Sequence, residues 1–99
     1  MDSKNEILDF LKTNRNYLQK RYHICKIGIF GSFARDEQNQ DSDVDIIIEL
    51  DKNSKNVYDL KFSLKQYLSN AFKRDVDIAR EKYLKPYAKK DILKDVIYV

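Results

Sequence analysis

Cysteine, histidine, glycine and proline are all scarce in this sequence of 99 residues. The single cysteine, Cys25, allows neither an intrachain disulfide nor a cysteine cluster for zinc, and its place in an apolar run predicts a buried thiol. His23 has no histidine companion, so we interpret it as a residue at the surface or at the start of a strand. Two glycines and one proline leave little linker-like composition, which favours one compact domain over residues 1–99.

Long apolar runs are missing as well. No segment approaches the ~20 apolar residues that span a bilayer, and the first residues, MDSKNE, lack the apolar stretch of a signal peptide. We therefore expect no membrane association and a reducing cytoplasm as the location. A chain of this length can bury a continuous core but leaves little material for a second lobe that would grip a large substrate.

The net charge of +3 is distributed unevenly along the chain. Between Asp36 and Asp51 there are seven acidic residues and no basic ones, which suggests bound cations. Residues 80–99 instead carry six bases and three acids. This basic tail, with Tyr83, Tyr87 and Tyr98, could meet phosphate, RNA or an acidic partner, although a solvated helix face is the simpler interpretation.

The spacing of apolar residues predicts a mixed α/β chain in the order α, β, α, β, α, β, α. Ser3 and Glu6 have the spacing of a capping box at the start of the first helix, Ser32 resembles an N-cap, and Pro86 can open the last helix. The predicted helices cover 4–20, 33–37, 57–72 and the segment from 86 that carries Ile92, Leu93 and Val96. The predicted strands cover 24–30, 43–50 and 75–79. We expect a small mixed sheet with helices packed on it, an α+β arrangement.

Three aspartates are candidate metal ligands. On an extended strand Asp43 and Asp45 project to the same side, while Val44 and Ile46 enter the core. Asp77 has similar apolar neighbours on another strand, so pairing of the two strands can bring it beside the first pair. Three such carboxylates repel one another unless a cation is present, and Mg²⁺ takes carboxylate oxygens while bridging to substrate phosphates.

Each of these aspartates also has a simpler interpretation. Asp43 and Asp45 could be exposed strand residues, and Asp77 could be a turn acid. Asp75 competes with Asp77 because it lies two residues away on the same side of the strand. Asp77 is preferred because Val76 and Ile78 flank it within the strand, whereas Asp75 stands at its start.

Gly31 and Ser32 lie where a strand turns into a helix, a position that suits phosphate. Free backbone N–H groups and the positive end of the helix dipole can receive an anion there. Gly31 permits close approach, the Ser32 hydroxyl can donate to a phosphate oxygen, and Arg35, one helical turn on, can neutralise further charge. Together with the aspartates, these residues predict a site for a metal-bound triphosphate.

The stretch IGIFGSFARDEQNQDSDVDIIIEL resembles the signature of the DNA polymerase β nucleotidyltransferase superfamily, and RDVDIA resembles the site of its third aspartate. The resemblance covers most of the chain and points to the minimal nucleotidyltransferases of MNT/HEPN toxin–antitoxin pairs. It implies a polymerase β-type fold, ATP as substrate and two Mg²⁺ ions held by Asp43, Asp45 and Asp77. Gly31 and Ser32 would hold the triphosphate, with Arg35 as a further binding candidate. Asp36 departs from the pattern, because relatives often have glycine there.

Two functions from different classes follow from this resemblance. The first is an antitoxin enzyme that transfers AMP to a hydroxyl, expected to be tyrosine, of a cognate HEPN ribonuclease toxin in a hetero-oligomer. The second is a binding antitoxin that covers the toxin's active site without chemistry. Transfer to a small molecule or an RNA end is a weaker alternative, because both usually need more chain to grip the acceptor, and no direct contact with nucleic acid is expected.

Overall fold

Residues 1–52 and 54–99 are described by a computed structural model, and their elements largely follow the predicted order. The helices among these residues are α1 (Lys4–Thr13), α2 (Arg15–Tyr22), α3 (Gly31–Ala34), α4 (Val57–Phe72) and α5 (Pro86–Asp95). The strands are β1 (Ile24–Phe30), β2 (Val44–Leu50), β3 (Val76–Arg80) and β4 (Ile97–Tyr98), with a 3-10 turn over Glu81–Tyr83. Each of these helices is too short or too polar to cross a lipid bilayer.

The described strands form one mixed sheet in the order β3-β2-β1-β4. β1 is antiparallel to β2 and to β4, whereas β2 and β3 run parallel and are joined by the crossover helix α4. This arrangement confirms the predicted mixed sheet with helices packed on it. It also sets the two strands that carry the candidate metal ligands side by side at one edge of the sheet.

One face of the sheet carries the main core. Alternate residues of β2, including Ile46 and Ile48, are almost fully buried against apolar side chains of α1, α2 and α4. Burying each of these aliphatic side chains stabilises the fold by roughly 1.5–3 kcal/mol. The opposite residues of the strand begin with Asp45, and the core therefore fixes which way that carboxylate points.

Cys25 is exposed, which corrects the prediction of a buried thiol. Ile24 pairs with Leu50 and Lys26 pairs with Glu49, so Cys25 is an extra residue, a bulge, in β1. A bulge shifts the alternation of the strand by one residue. Ile24 and Ile27 consequently both face the core, and the extra residue between the two paired segments is left in solvent.

The predicted first helix is divided in two. The Asn14 side chain donates a hydrogen bond of 2.9 Å to the Phe10 carbonyl, the group that its own backbone N–H also contacts at 3.0 Å. Such local bonds of asparagine compete with continuation of a helix. At the start of α1, the Ser3 hydroxyl accepts from Glu6 N at 3.1 Å, but the Glu6 carboxylate accepts from Asp2 N instead of Ser3 N.

Two further helix predictions need correction at their ends. The short helix spans Gly31–Ala34 instead of 33–37, so Ser32 lies inside its first turn and is not the N-cap. Asp36 follows with a left-handed φ of 58°, the conformation that glycine adopts most easily. The last helix begins at Pro86 as predicted, but Val96 lies beyond its end and leads into β4, a strand that was not predicted.

Candidate active site

Asp45 and Asp77 are brought together by the pairing of β2 with β3. Asp45 is the direct partner of Asp77 in the parallel register, between the pairs Val44–Val76 and Ile46–Ile78. Directly paired residues of neighbouring strands point to the same side of a sheet. Asp43 stands one residue before β2 and is exposed, two positions from Asp45.

Asp75 lies one step further from this pair. Its backbone carbonyl accepts a hydrogen bond of 2.9 Å from Val44 N, which places it near the level of Asp43. The charges of Asp77 and Asp43 both contribute to the raised pKa of the Asp45 carboxyl, whereas the charge of Asp75 does not. The register therefore favours Asp77 over Asp75 as the third member of the group.

The Asp45 carboxyl is the strongly perturbed acid of this cluster. Burial, then the charge of Asp77, then that of Asp43 raise its pKa to about 6, while Arg35 acts in the opposite direction. Each of the first three effects disfavours the ionised form. A bound cation would reverse the balance, because it would favour the carboxylate over the neutral acid.

No three His, Cys, Asp or Glu side chains within 1–52 and 54–99 are gathered tightly enough to hold a metal ion by themselves. Burial, followed by the charges of Asp77 and Asp43, raises the pKa of Asp45, so the carboxylates of this cluster are uncompensated without a cation. The donor chemistry nevertheless fits magnesium, which is a hard ion that binds one or two carboxylates and takes its remaining ligands from water and substrate phosphates.

Gly31 connects β1 to α3 directly beside Asp45. Its φ of +72° is a left-handed conformation, and a Cβ added there would collide with the Asp45 carboxylate. A side chain at this position would therefore strain the backbone and displace the Asp45 carboxylate. The first N–H groups of a helix have no partner within it, so the turn at Gly31 and Ser32 presents donors next to the acidic pair.

Arg35 is held by two carboxylates. Its Nε lies 3.0 Å from Glu37 Oε2 and its Nη1 lies 3.5 Å from Asp95 Oδ2 on α5. The charge of the guanidinium nevertheless partly offsets the rise in the pKa of Asp45, so Arg35 lies at the edge of the site. To bind a phosphate, Arg35 would exchange these exposed ion pairs, which contribute little to stability, for a stronger charge-assisted contact.

Arg74 positions the site and was missed from the sequence. Its Nη1 donates to three carbonyls of the loop before Asp43, those of Asn39, Gln40 and Ser42, at 3.0, 3.1 and 2.9 Å. Its other nitrogens bind the Met1 carbonyl and the Asp2 carboxylate, both at 2.9 Å, and the group lies 5.1 Å from the centre of the Phe33 ring. A mostly buried arginine, 8% exposed in its side chain, thus joins the loop of Asp43 to helix α3.

The other acids on this side of the sheet have partners of their own. Glu49 accepts from Arg80 Nη2 at 3.3 Å and from Lys82 N at 3.0 Å, which ties the 3-10 turn to β2. Glu81 contacts Lys26 Nζ at 3.4 Å and accepts from the Tyr98 hydroxyl at 3.1 Å. Burial and this bond to Glu81 raise the pKa of Tyr98 to about 12. Glu49 and Glu81 therefore serve structure and are separate from the cluster around Asp45.

Comparison with known proteins identifies the family of the chain. The family described as "Nucleotidyltransferase domain" matches residues 11–99. The chain belongs to this nucleotidyltransferase family. It is 36% identical over the full length of both chains to a Methanocaldococcus jannaschii protein that is named as a protein adenylyltransferase. It is also 35% identical to protein adenylyltransferase MntA of Thermococcus cleftensis, covering 95% of this chain and 93% of that protein.

Solved structures have the same fold. A structure described as a minimal nucleotidyltransferase superimposes with a TM-score of 0.72 and 27% identity, covering 98% of this nucleotidyltransferase and 95% of that chain. A Shewanella oneidensis complex of a tri-AMPylated HEPN toxin with an MNT antitoxin matches with a TM-score of 0.57 and 20% identity, covering 96% and 66%. The polymerase β-type fold implied by the sequence resemblance is confirmed by the first of these.

Proposed function

We propose that this nucleotidyltransferase moves AMP from ATP to a tyrosine hydroxyl of a HEPN-type ribonuclease toxin and thereby neutralises it. The observation that carries the proposal is the direct pairing of Asp45 with Asp77 next to the Gly31 turn. The named protein adenylyltransferases among its relatives, and the AMPylated HEPN toxin in the Shewanella complex, support AMP as the group and a protein as the acceptor. The toxin and this chain would form a hetero-oligomer.

The proposed roles follow the geometry. Gly31 and Ser32 bind the triphosphate through backbone N–H groups and the hydroxyl, with Arg35 recruited from its carboxylate partners. Asp43, Asp45 and Asp77 would hold magnesium, expected as two ions, and the metal would neutralise phosphate charge and make the acceptor hydroxyl easier to deprotonate. Asp77, on the outer strand, orients that hydroxyl and helps to take its proton.

The transfer is a single displacement. The acceptor oxygen attacks the α-phosphorus of ATP, a P–O bond forms, and the bond from that phosphorus to the oxygen bridging to the β-phosphate breaks. Pyrophosphate leaves, and the hydroxyl proton passes to Asp77 or to solvent. The products are an AMP-modified tyrosine and pyrophosphate.

The matched pair Asp77→Asn and Asp75→Asn tests the proposal. With α-labelled ATP, magnesium and a HEPN-type toxin, we expect Asp77→Asn to lower label transfer on the order of 100-fold. The reason is that a carboxylate proposed to stabilise the transition state is lost. Asp75→Asn should retain transfer within a few-fold. Absence of transfer by the unaltered chain with any nucleotide would refute the proposal, and equal losses in both variants would refute the role of Asp77.

Asp43→Ala/Asp45→Ala distinguishes catalysis from occlusion of the toxin by binding alone. If this double variant folds and binds the toxin but no longer protects cells, the chemistry is required. Full protection by the double variant would show that covering the toxin is sufficient.

A further inference from the structure

Helix α4 carries a second stripe of side chains beside the one that it buries. Tyr58 and Phe62 are 84% and 59% exposed and stand one helical turn apart. Lys61 and Lys65 complete the stripe, because residues at i, i+3, i+4 and i+7 share one helix face. Folding of this chain leaves both rings in solvent, and neighbouring exposed aromatic side chains are typical of binding surfaces.

This stripe lines an open groove at the edge of the sheet. The groove has a volume of about 500 Å³ and is formed by Tyr58, Lys61, Phe62, Lys65, Asp77 and Ile78. β3, which supplies Asp77 and Ile78, is an outer strand of the sheet. We call this feature the α4–β3 groove. Asp77, the residue paired with Asp45, is one of the residues that line it.

The geometry of an in-line displacement indicates whether ATP or the acceptor protein reaches the site through this groove. Gly31 follows β1, Asp45 lies on β2 and Asp77 lies on β3, so the phosphate turn and the edge strand β3 stand on opposite sides of β2 in the sheet. Attacking and leaving oxygens stand on opposite sides of the reacting phosphorus. With the leaving pyrophosphate held at Gly31 and Ser32, the acceptor hydroxyl must approach from the side of β3.

We propose that the α4–β3 groove binds the acceptor segment of the modified protein, and that this segment carries its tyrosine among acidic residues. The inference rests on the proposed function and adds the recognition of its protein substrate. Tyr58 and Phe62 would pack against the acceptor tyrosine and its neighbours, while Lys61 and Lys65 would attract carboxylates. In the proposed function, bound magnesium would offset the charge of Asp77, so Asp77 would not oppose this charge preference.

A protein segment suits this groove better than RNA. Single-stranded RNA also binds aromatic side chains and cations, but it needs a positively charged path that follows its backbone. The groove offers two lysines, one helical turn apart, on a single helix. That pattern matches a short acidic segment, and RNA binding becomes an outcome that the experiment can detect.

Steady-state AMP transfer to short peptides provides the test. The probes are a peptide with one tyrosine between glutamates and the same peptide with lysines in place of the glutamates. For Tyr58→Ala/Phe62→Ala we expect the KM for the acidic peptide to rise tenfold or more while the KM for ATP stays unchanged. Lys61→Glu/Lys65→Glu should reverse the preference toward the lysine-flanked peptide. Tyr87→Ala, which removes an equally exposed ring from α5, is the matched control and should change neither KM.

Amide NMR shifts separate failure of this inference from failure of the proposed function. If no AMP is transferred but the acidic peptide shifts the amide signals of 58–65 and 77–78, the groove binds the peptide as proposed and the proposed adenylyltransferase function is refuted. Shifts elsewhere, or none at millimolar peptide, overturn the groove assignment. The assignment is equally overturned if Tyr58→Ala/Phe62→Ala raises the KM for ATP, if Tyr87→Ala has the same effect, or if single-stranded RNA displaces the peptide from these residues.

Discussion

Replacing Asp45 with asparagine should make the ligand-free protein more stable at neutral pH. The folded chain raises the pKa of Asp45 to about 6, from an ordinary value near 4, through burial and the charges of Asp77 and Asp43. A difference of ~2 pKa units corresponds to ~3 kcal/mol of unfavourable charge. Because the carboxyl group is only half-buried, solvent screening reduces the expected gain to about 1–1.5 kcal/mol.

The pH dependence of this gain has a definite sign. The raised pKa means that the folded state binds the Asp45 proton more tightly than the unfolded state does. Asp45 therefore does not lower the stability of the unaltered chain below about pH 4. The stability falls as the pH rises from about 4 to about 6, and the loss is complete above that range. Asparagine cannot ionise, so the difference in stability between Asp45→Asn and the unaltered chain should be small at about pH 4 and complete near pH 7.5.

Urea unfolding at both pH values measures the difference, with Asp51→Asn, just beyond the end of β2, as the control. Magnesium provides a second arm, because it should stabilise the unaltered chain near pH 7.5 and lose that effect in Asp45→Asn. If Asp45→Asn is no more stable than the unaltered chain near pH 7.5, or gains equally at both pH values, the electrostatic argument is wrong.

Three further substitutions test the surroundings of the site, each by urea unfolding. Arg74→Lys should lower the free energy of unfolding by about 2–3 kcal/mol, because one ammonium cannot replace a guanidinium that contacts several carbonyls; a loss below about 0.5 kcal/mol would contradict its positioning role. Lys73→Gly should stabilise by about 0.5–1 kcal/mol, because Lys73 ends α4 with a left-handed φ of 58°; destabilisation would contradict this. Gly31→Ala should destabilise by about 1–3 kcal/mol through its φ and its collision with the Asp45 carboxylate, and a neutral effect would show that the turn can adjust.

Local patterns in the sequence were sufficient for strands β1, β2 and β3 and for the direction of the Asp45 carboxylate. The alternation of Val44 and Ile46 with Asp45 predicts both the strand and the direction of its carboxylate, and β2 has that pattern. The sequence favoured Asp77 over Asp75 as the partner of Asp45 because Val76 and Ile78 flank Asp77 within the strand, but it left the pairing itself open. That choice depends on the register of a parallel pairing, which is set by the crossover helix and the core and not by either strand alone.

Features that depend on distant contacts were not predictable in this way. The bulge at Cys25 follows from matching the isoleucines of β1 to those of β2. β4 is a two-residue strand that exists through its pairing with Gly28 and Ile29, too short to leave a pattern of its own. The helix break at Asn14 could have been predicted, because asparagine side chains often hydrogen-bond to the backbone one turn earlier. The apolar residues around Asn14 continue the helical spacing and therefore hide the break.

Arg74 shows how such a small chain can hold its site together. The loop before Asp43 and helix α3 both contact this mostly buried guanidinium. In the sequence, Arg74 is only the basic neighbour of Asp75. Its importance arises because the fold brings the first residues, the acidic loop and Phe33 to the same end of α4, where a planar group with five donors can bind several carbonyls at once. A lysine has the same charge but not this geometry, so a loss of AMP transfer in Arg74→Lys with ATP binding retained would indicate that the position of Asp43 depends on the shape of the side chain.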